Sequence, residues 1–493
     1  MGDTGAPFPN PIYAREILEV GFREAQRVLF AHMQAANEAH ILMLVEQGIV
    51  RPEDGATLFQ AFTEVEADGP WSFSYEPAVE DLFFAVEGRI IAATGVEIGG
   101  NLQIARSRND LAAGMTRLFI RERSLSVQRA IAAFRATLIE LAAQHVRTIM
   151  PGITHTQPAQ PTTLAHYLLG VLGPLERDSQ RLREGWARLN QSPLGVAAFT
   201  TTSVPIDRDL TARYLGFDGL VENGYDAVGT GDHMIEATQS LVTLVSGISR
   251  FVYELLVWTR REVGVLRIAD EFIQISSIMP QKRNPVVLEH VRARLAYVYG
   301  ESATVGTMIH SAAFGDTNDV EDQILLPIGR AFDAAVSVLE LLGAALATAT
   351  FDVELLASRA GEGNITATAV ADGLVRDFGL SFRSAHHVLA RLVSAGGPIT
   401  GERLSRTASD IAGREIVVEQ AWADRMLDPW AFVNARTLPG GPAPQETTRA
   451  ITAARAQLAA DVAWIDEAEA KIAAAYADRK VRIAEIMAAA SES

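Results

Sequence analysis

The chain has 493 residues, of which 48% are hydrophobic and 21% are charged, and its formal net charge is −17. The hydrophobic fraction supplies a packed interior, and the length indicates about two to four domains. The acidic balance argues against non-specific binding to nucleic acid or to an anionic membrane, because both interactions need an excess of basic residues. We therefore expect neither nucleic acid nor a membrane among the partners of this protein.

The sequence contains no cysteine. This excludes disulfides, thiolate nucleophiles, cysteine-based zinc sites and iron–sulfur clusters. The composition fits a reducing compartment, and no stretch of about 18 uninterrupted apolar residues indicates a membrane span. We predict a cytoplasmic protein.

Apolar residues at steps of three and four dominate the chain, a spacing that is typical of helices with one buried stripe. Residues 106–146 have no internal proline and predict a helix roughly 60 Å long, since a helix rises about 1.5 Å per residue. Helices of this length need neighbours along their whole length. Further bundle helices are predicted at residues 241–258, 289–309 and 328–350.

No alternation of strands and helices indicates a doubly wound sheet. We predict an all-α fold with three helical domains, namely an N-terminal domain at 1–103, a central long-helix bundle at 104–358 and a C-terminal domain at 359–493. Segments rich in Pro, Gly, Ser and Thr predict breaks between helices at residues 150–163, 192–205, 271–285 and 438–444.

Three polar islands interrupt these helices, and the first is residues 99–110. One interpretation is a helix N-cap followed by a solvated first turn. The other is an anion site, in which Ser107, Asn109, the guanidinium of Arg108 and the helix N-terminal N–H groups converge on a carboxylate.

The second island is residues 152–163, and it contains His155. A histidine alone is more often structural than catalytic. Beside a carboxylate, however, it becomes an oriented base or a proton relay.

The third island is residues 275–285, where two serines, an asparagine and the isolated Lys282 share a loop bounded by prolines. It is ordinary as a linker. Its functional interpretation is a loop that closes over a bound anion and supplies N–H groups and an ammonium where negative charge develops. Glu289, at the start of the next helix, is placed to reach back to a histidine.

Residues 276–285 read SSIMPQKRNP and resemble the signature loop of the fumarase/aspartase superfamily. Residues 105–110, Thr154-His155 with residues 159–161, residues 192–195 and residues 205–208 resemble the argininosuccinate lyase branch, which includes ethylenediamine-disuccinate lyase. These motifs occur in the family's order and spacing and cover about residues 103 to 285. Agreement among several separated motifs is far more specific than any one of them.

The resemblance implies an all-helical homotetramer whose active sites are built from the polar islands of three different chains. The implied reaction is the reversible anti-elimination of fumarate from an N-substituted L-aspartate, with neither a metal nor an organic cofactor. Ser276 is then the general base that removes the C3 proton, and His155 with Glu289 is the pair near the leaving group. Lys282 and Asn284 would stabilise the intermediate, and the substrate-binding residues by resemblance are Ser107, Arg108, Asn109, Thr154, Gln160, Ser277, Met279 and Asn284.

The chain departs from the argininosuccinate lyase pattern at the leaving-group end. Gln103-Ile104 stands where His-Thr or His-Ser is usual, Phe83 replaces a histidine, and Gly231 replaces an arginine. Gly315 and Val320 stand where a substrate-contacting Tyr and Gln are expected. The sequence therefore predicts the chemistry of this branch with a rebuilt amine pocket.

Three functions follow from these motifs. The first is a C–N lyase acting on an aminopolycarboxylate such as ethylenediamine-disuccinate, and the second is argininosuccinate lyase, which gives arginine and fumarate. The third is a non-catalytic, crystallin-like structural protein, which predicts damage to the signature loop, whereas Ser276, Lys282 and Asn284 are all present. A cofactor-binding enzyme is weaker still, since the sequence has no G-x-G-x-x-G motif or P-loop.

Overall fold

The computed structural model describes residues 8–491, and long helices dominate this part of the chain. The predicted all-α fold class is confirmed. The predicted terminal domains include residues 1–7 and 492–493, which lie outside the described residues. The three domain boundaries remain a prediction.

The N-terminal part of the chain is a set of helices packed around one nearly buried helix, α3. Turns of 3₁₀ helix at Pro70–Ser72, Pro77–Val79 and Gly100–Gln103 connect several of them. The helices are α1 (Pro11–Tyr13), continued by a π-helical turn (Ala14–Leu18), α2 (Glu19–Val28), α3 (Phe30–Glu46), α4 (Pro52–Asp68), α5 (Leu82–Thr94) and α6 (Val96–Gly99).

Five long helices form the central bundle. Among them α7 packs against α8 and α14, and α12 packs against α11 and α14. The central helices are α7 (Arg108–Gln144), α8 (Leu164–Leu189), α9 (Arg208–Tyr214), α10 (Gly224–Gly229), α11 (Asp232–Trp258), α12 (Val286–Ser311), α13 (Asn318–Glu321) and α14 (Leu325–Ala347).

The C-terminal part consists of short helices followed by one very long helix. The final helix has 48 residues, about 70 Å at 1.5 Å per residue, and it packs along α7 and α4. The helices are α15 (Val353–Ala360), α16 (Ala367–Phe378), α17 (Phe382–Ser394), α18 (Gly401–Ala412), α19 (Gln420–Leu427), α20 (Pro429–Asn434) and α21 (Pro444–Ser491).

Two hydrophobic cores follow from this packing. The larger core runs from Phe22 to Ile483 and joins the N-terminal helices, the bundle and α21. A separate core, from Val370 to Ala423, holds α16–α19 together. The final helix therefore packs against both the N-terminal helices and the bundle. The short helices α16–α19 pack mainly on one another.

The strands are short and pair only two at a time within residues 8–491. The longest pair is an antiparallel hairpin of β1 (Ile149–Thr154) and β2 (Gln157–Thr163), with Thr154 opposite Gln157. The others are β3 (Gln191–Ser192) with β4 (Gly219–Leu220), which are parallel, and two antiparallel pairs, β5 (Leu266–Arg267) with β8 (Thr350–Phe351) and β6 (Gln274–Ile275) with β7 (Arg283–Asn284).

α11 is the one helix among residues 8–491 that is long and apolar enough to cross a membrane. Its apolar stripe, which includes Leu241, Leu244 and Ile248, is buried, and the helix packs against α8 and α12. That packing is typical of a core helix in a bundle.

Candidate active site

The first polar island is built as the start of α7. Ser107 is the N-cap, and its Oγ accepts a hydrogen bond from the N–H of Asn109 at 3.3 Å. In return, Asp110 Oδ1 accepts from the N–H of Ser107 at 2.9 Å, which completes a capping box. The Ser107 hydroxyl also donates to Asn109 Oδ1 at 2.8 Å. The capping interpretation is thus realised in the structure, and the anion-binding role of Ser107 and Asn109 remains a prediction.

Asp110 fixes this helix start to a neighbouring loop. Its side chain is fully buried, and Oδ2 accepts the N–H groups of Gly195 and Ala197 at 2.9 and 3.1 Å. Burial raises the pKa of Asp110, and the hydrogen bonds from Ser107 and Gly195 oppose that rise. The loop after β3 therefore lies directly beside the first island.

Arg108 is surrounded by carboxylates. Its Nη2 lies 2.6 Å from Asp81 Oδ2, and its Nη1 lies 3.7 Å from Glu80 Oε1. The charges of Glu321 and Asp322 also act on it. Burial favours a lower pKa for Arg108, but these carboxylates outweigh it and raise the pKa. A substrate carboxylate at this guanidinium must therefore compete with Asp81.

Glu321 and Asp81, two of the acidic residues around Arg108, have raised pKa values. Burial, followed by the charges of Asp316 and Asp322, raises the pKa of Glu321 to about 8. Burial likewise raises the pKa of Asp81, although Arg108 and the N–H of Phe84 act against it. Sequence analysis missed this cluster, because its members come from three distant segments and no spacing rule brings them together.

The second island is the β1–β2 hairpin rather than the predicted irregular break. Its two turn residues, His155 and Thr156, have φ of 49° and 65°. Two consecutive positive φ angles match a type I′ turn, which normally carries Asn or Gly. A histidine and a β-branched threonine in this region are strained, and such strain is found mostly at functional sites. Thr154 and His155 are exposed at this tip.

A cavity of about 770 Å³ lies beneath the hairpin, between it and helices α8 and α11. Thr154, His155 and Gln160 line it. Gln160 Nε2 donates to the Oγ1 of Thr368 on α16 at 3.0 Å. The structure thus gives Gln160 a hydrogen bond within its own chain, and substrate binding by Gln160 remains a prediction.

The third island is a loop closed at its base by β6 and β7. Asn284 lies in β7 opposite Gln274, and the loop projects Ser277, Met279 and Lys282 into solvent. Ile278 at its tip is 82% exposed. An apolar side chain so exposed is expected where another surface or a ligand covers the loop.

The hydroxyl oxygen of Ser276 is held by backbone N–H groups of the same loop. Its Oγ accepts from the N–H groups of Met279 and Ile278 at 3.1 and 3.4 Å, and the N–H of Lys282 donates to the carbonyl of Met279 at 2.9 Å. Two N–H groups directed at one hydroxyl oxygen favour its deprotonated form. This geometry is compatible with a role of Ser276 as a base, and that role remains a prediction.

The three islands stay apart within one chain. Among residues 8–491, no hydrogen bond or ion pair joins the start of α7, the hairpin tip and the third island. Glu289, in the first turn of α12, is exposed and makes no such contact with His155. The His155–Glu289 pair therefore remains a prediction that needs residues of different chains.

The positions that depart from the family pattern have apolar or closed surroundings. Phe83 is 7% exposed, and its ring lies 5.9 Å from the guanidinium of Arg106. Val320 is also buried. Gln103 instead donates to Glu87 Oε1 at 2.8 Å.

Two glycines at departing positions pack closely against other elements. A Cβ on Gly231 would lie 2.7 Å from Ile309 Cδ1, so an arginine at this site requires the Ile309 side chain to shift. Gly315 approaches Gly229 so closely that a Cβ on Gly229 would lie 3.0 Å from Gly315 Cα. Tight packing thus takes the place of the family's arginine at Gly231, whereas a Cβ on Gly315 would meet Tyr225 Cε1 at an ordinary 3.8 Å.

Comparison with known proteins agrees with the motifs. Residues 16–300 match a lyase family model, and residues 364–433 match the model of the argininosuccinate lyase C-terminal region. The chain is 39% identical over 441 residues to an argininosuccinate lyase of Methanoculleus marisnigri, covering 89% of each chain. It is 37% identical over 461 residues to an argininosuccinate lyase of Natronomonas pharaonis, covering 93% of this chain and 92% of the relative.

Solved structures give the same result for the fold. A variant of EDDS lyase with bound fumarate superposes with a TM-score of 0.87 at 30% identity, over 96% of each chain. A class II fumarase of Schistosoma mansoni, at 13% identity and a TM-score of 0.66 over 84% of this chain and 90% of that one, shares the fold. The chain belongs to the fumarase/aspartase superfamily, in its argininosuccinate lyase branch, and is a carbon–nitrogen lyase.

Proposed function

We propose that this lyase releases fumarate from an N-substituted L-aspartate by reversible anti-elimination. The observation that carries the proposal is the third island, where Ser276 Oγ accepts two backbone N–H groups on the loop that also bears Lys282 and Asn284. These are the residues that a carbanion mechanism needs, namely a base and donors for the charge that it creates.

In this mechanism, Ser276 Oγ removes a proton from C3 of the succinyl group. The electron pair of that C–H bond delocalises into the adjacent carboxylate, which becomes an aci-carboxylate with added negative charge. The ammonium of Lys282, the amide of Asn284 and the loop N–H groups stabilise it. The electron pair then forms the C2–C3 double bond, the C2–N bond breaks, and the nitrogen leaves with its bonding pair and takes a proton.

His155 is assigned as the donor of that proton, and Glu289 as the residue that orients the ring of His155. Ser107, Arg108, Asn109 and Thr154 are assigned to the substrate carboxylates, with Gln160, Ser277 and Met279 completing the succinyl pocket. Arg108 must exchange Asp81 for the substrate. The guanidinium has a carboxylate partner before and after this exchange, so substrate binding does not leave a half-buried charge unpaired.

A homotetramer with shared sites is part of the proposal. Support comes from α12, whose buried residues form a single stripe while the rest of the helix faces outward. Tyr297 and Tyr299 on this helix and Tyr253 on α11 are 65%, 54% and 59% exposed. Large exposed side chains along central helices are expected where a second bundle packs.

The leaving amine is not that of argininosuccinate in this proposal. Gly231, Gly315 and Val320 offer no polar side chain to a guanidinium tail, and buried donors without partners cost about 1–3 kcal/mol each. An aminopolycarboxylate such as ethylenediamine-disuccinate is the candidate favoured by the sequence, and the EDDS lyase similarity supports it. The second candidate is argininosuccinate itself, because curated relatives with that activity are up to 39% identical. We place the reaction in the cytoplasm.

The test is fumarate release, followed by its absorbance near 240 nm, against a panel that includes ethylenediamine-disuccinate, argininosuccinate and simple N-alkyl L-aspartates. We expect turnover of at least one N-substituted aspartate, and Ser276→Ala should lower kcat by several orders of magnitude while the melting temperature stays nearly unchanged. Lack of fumarate from every member of the panel contradicts the proposal. Comparable turnover by Ser276→Ala removes Ser276 from the mechanism.

A further inference from the structure

Three aromatic side chains, two from loops and one from α10, meet at the surface of the chain. The rings of Phe199 and Tyr225 have centroids 4.8 Å apart, and the ring of Phe314 stacks on Tyr225 at 6.1 Å with an interplanar angle of 10°. The three residues are 42%, 47% and 67% exposed, respectively. We call Phe199, Tyr225 and Phe314 the aromatic cluster.

The aromatic cluster lies beside the first polar island. The loop that carries Phe199 is held to the start of α7 by Asp110, which accepts the N–H of Ala197. Tyr225 lies on α10, which packs on α7. Phe314 is two residues before Asp316, whose pKa responds to the charge of Arg108. A ligand whose carboxylate reaches Arg108 therefore has the aromatic cluster as a neighbour.

Close backbone contacts hold the three loops in this arrangement. Gly229, at the end of α10, packs against Gly315, the residue after Phe314. Gly224, beside Tyr225, packs against the carbonyl of Phe199, where a Cβ would come within 2.1 Å of the oxygen. Larger residues at Gly224 and Gly229 would push these segments apart. The two glycines therefore help to keep the three rings in contact.

Aromatic rings also lie close to the guanidinium of Arg108 itself. The ring of Phe84 is 5.1 Å from its guanidinium, and Phe84 and Phe83 contact each other edge to face at 5.4 Å. Phe83 and Gly315 are two of the positions at which the family pattern has polar side chains. Aromatic rings of Phe83 and Phe84 therefore lie next to the first island, and Phe83 stands where the family pattern has a histidine.

We propose that the aromatic cluster binds the leaving amine and that the preferred substrates are N-substituted L-aspartates whose N-substituent carries an aromatic ring. This inference rests on the proposed release of fumarate from an N-substituted L-aspartate, and it ranks an aromatic leaving amine above an aminopolycarboxylate. A ring inserted beside Tyr225 and Phe314 gains stacking contacts and buries apolar surface on both partners. Asp316 and Asp322, which lie near Arg108, attract the amine, which is a cation when it leaves.

The test compares two substrates with alkylamine leaving groups, N-(2-phenylethyl)-L-aspartate and N-butyl-L-aspartate. We expect kcat/KM for the phenylethyl substrate to be about tenfold to a hundredfold higher, mainly through KM, since burial of an aromatic ring is of that magnitude. Phe314→Ala should reduce this ratio by about tenfold, and Phe314→Tyr, which keeps the aromatic face, should restore it. Comparing the ratio of the two kcat/KM values between wild type and variants cancels the intrinsic difference in reactivity between the two amines.

Trp71→Ala is the matched control, since Trp71 is also 67% exposed but lies in the turn before α5. It should leave the ratio unchanged. If Phe314→Ala does not fold, Phe314→Leu serves in its place, because it keeps the apolar volume and removes the ring.

Two results overturn the inference. One is equal kcat/KM for the two substrates in the wild-type protein. The other is an unchanged ratio in a folded Phe314→Ala or Phe314→Leu protein, which shows that the ring of the substrate does not meet the aromatic cluster. Both leave fumarate release intact, whereas failure of the proposed function means that neither of these substrates nor any other N-substituted aspartate releases fumarate.

Discussion

Lys282 is the only lysine of this chain outside the last helix. Its backbone N–H donates to the carbonyl of Met279 within the loop. Its side chain is exposed, so the ammonium is available to a ligand. The mechanism assigns that ammonium to charge that exists in the intermediate but not in the bound substrate. Such a contact acts on kcat rather than on binding.

Lys282→Met should therefore fold normally and lower kcat by about 10²–10³, the usual cost of one lost donor to a developing oxyanion, with a smaller change in KM. Lys471→Met, which alters a lysine of α21 paired with Asp218, is the control and should keep full activity. Steady-state kinetics on a substrate from the panel provides both constants. A rise in KM at normal kcat makes Lys282 a clamp for the substrate carboxylate instead.

Glu321 gives a prediction for pH dependence. Its pKa is raised to about 8 in the folded protein, above the value of 4.5 for an ordinary glutamate. Between these two pH values the folded state keeps a proton that the unfolded state releases, so the free energy of unfolding falls as the pH rises through this range. The contribution is complete below about pH 4.5 and is lost above about pH 8.

Glu321→Gln should remove this loss. We expect the variant and the wild type to melt together near pH 5 and the variant to melt higher at pH 9, by on the order of 1 to 2 °C. Glu415→Gln, a change at an exposed glutamate of the C-terminal part, is the control and should follow the wild type at both pH values. A Glu321→Gln protein that melts with the wild type at pH 9 shows that the carboxyl ionises normally.

At the scale of elements, the β1–β2 hairpin is the clearest departure from the sequence prediction. Pro151, Pro158 and Pro161 make the segment look unlike a strand, because proline cannot donate to a ladder. A two-stranded hairpin consists only of edges, so each proline can face away from the partner. The polar composition indicated a functional segment, but only pairing between the two halves defines its shape.

Thr156→Gly should relieve the strain of this turn, since glycine takes a positive φ without the steric cost that a β-branched residue has there. We expect the free energy of unfolding to rise by about 1 kcal/mol. Chemical denaturation measures it, and Thr162→Gly, within β2, should shift stability in the opposite direction. A loss of stability in Thr156→Gly means that the threonine side chain contributes more than its backbone costs.

The long helices, in contrast, were predictable. The stripe at residues 106–146 corresponds to α7 (Arg108–Gln144), with ends that differ by two residues each. Periodicity defines such helices locally, and the capping box at Ser107 defines where α7 begins. The carboxylates around Arg108 and the aromatic cluster were not predictable, because the fold brings together residues that are far apart in the chain: 213 positions separate Arg108 from Glu321, and 89 separate Tyr225 from Phe314.

For the whole molecule, the separation of the islands has the largest consequence. The chain organises Ser276 on one loop, His155 on a strained turn and Arg108 at a helix start, and within residues 8–491 it does not bring the three together. We propose that each site takes one island from each of several chains, because no hydrogen bond or ion pair joins the three islands within residues 8–491. Symmetry then makes every site equivalent.

The measurement that tests this account most directly mixes two inactive proteins, Ser276→Ala and His155→Ala, under conditions of subunit exchange. If the two residues of one site belong to different chains, random mixing leaves about a quarter of the sites with both residues intact, so about a quarter of the wild-type fumarate release should return. Each variant alone, treated in the same way, is the control and should stay inactive. Absence of recovery, while native mass spectrometry shows mixed oligomers, would contradict the shared site.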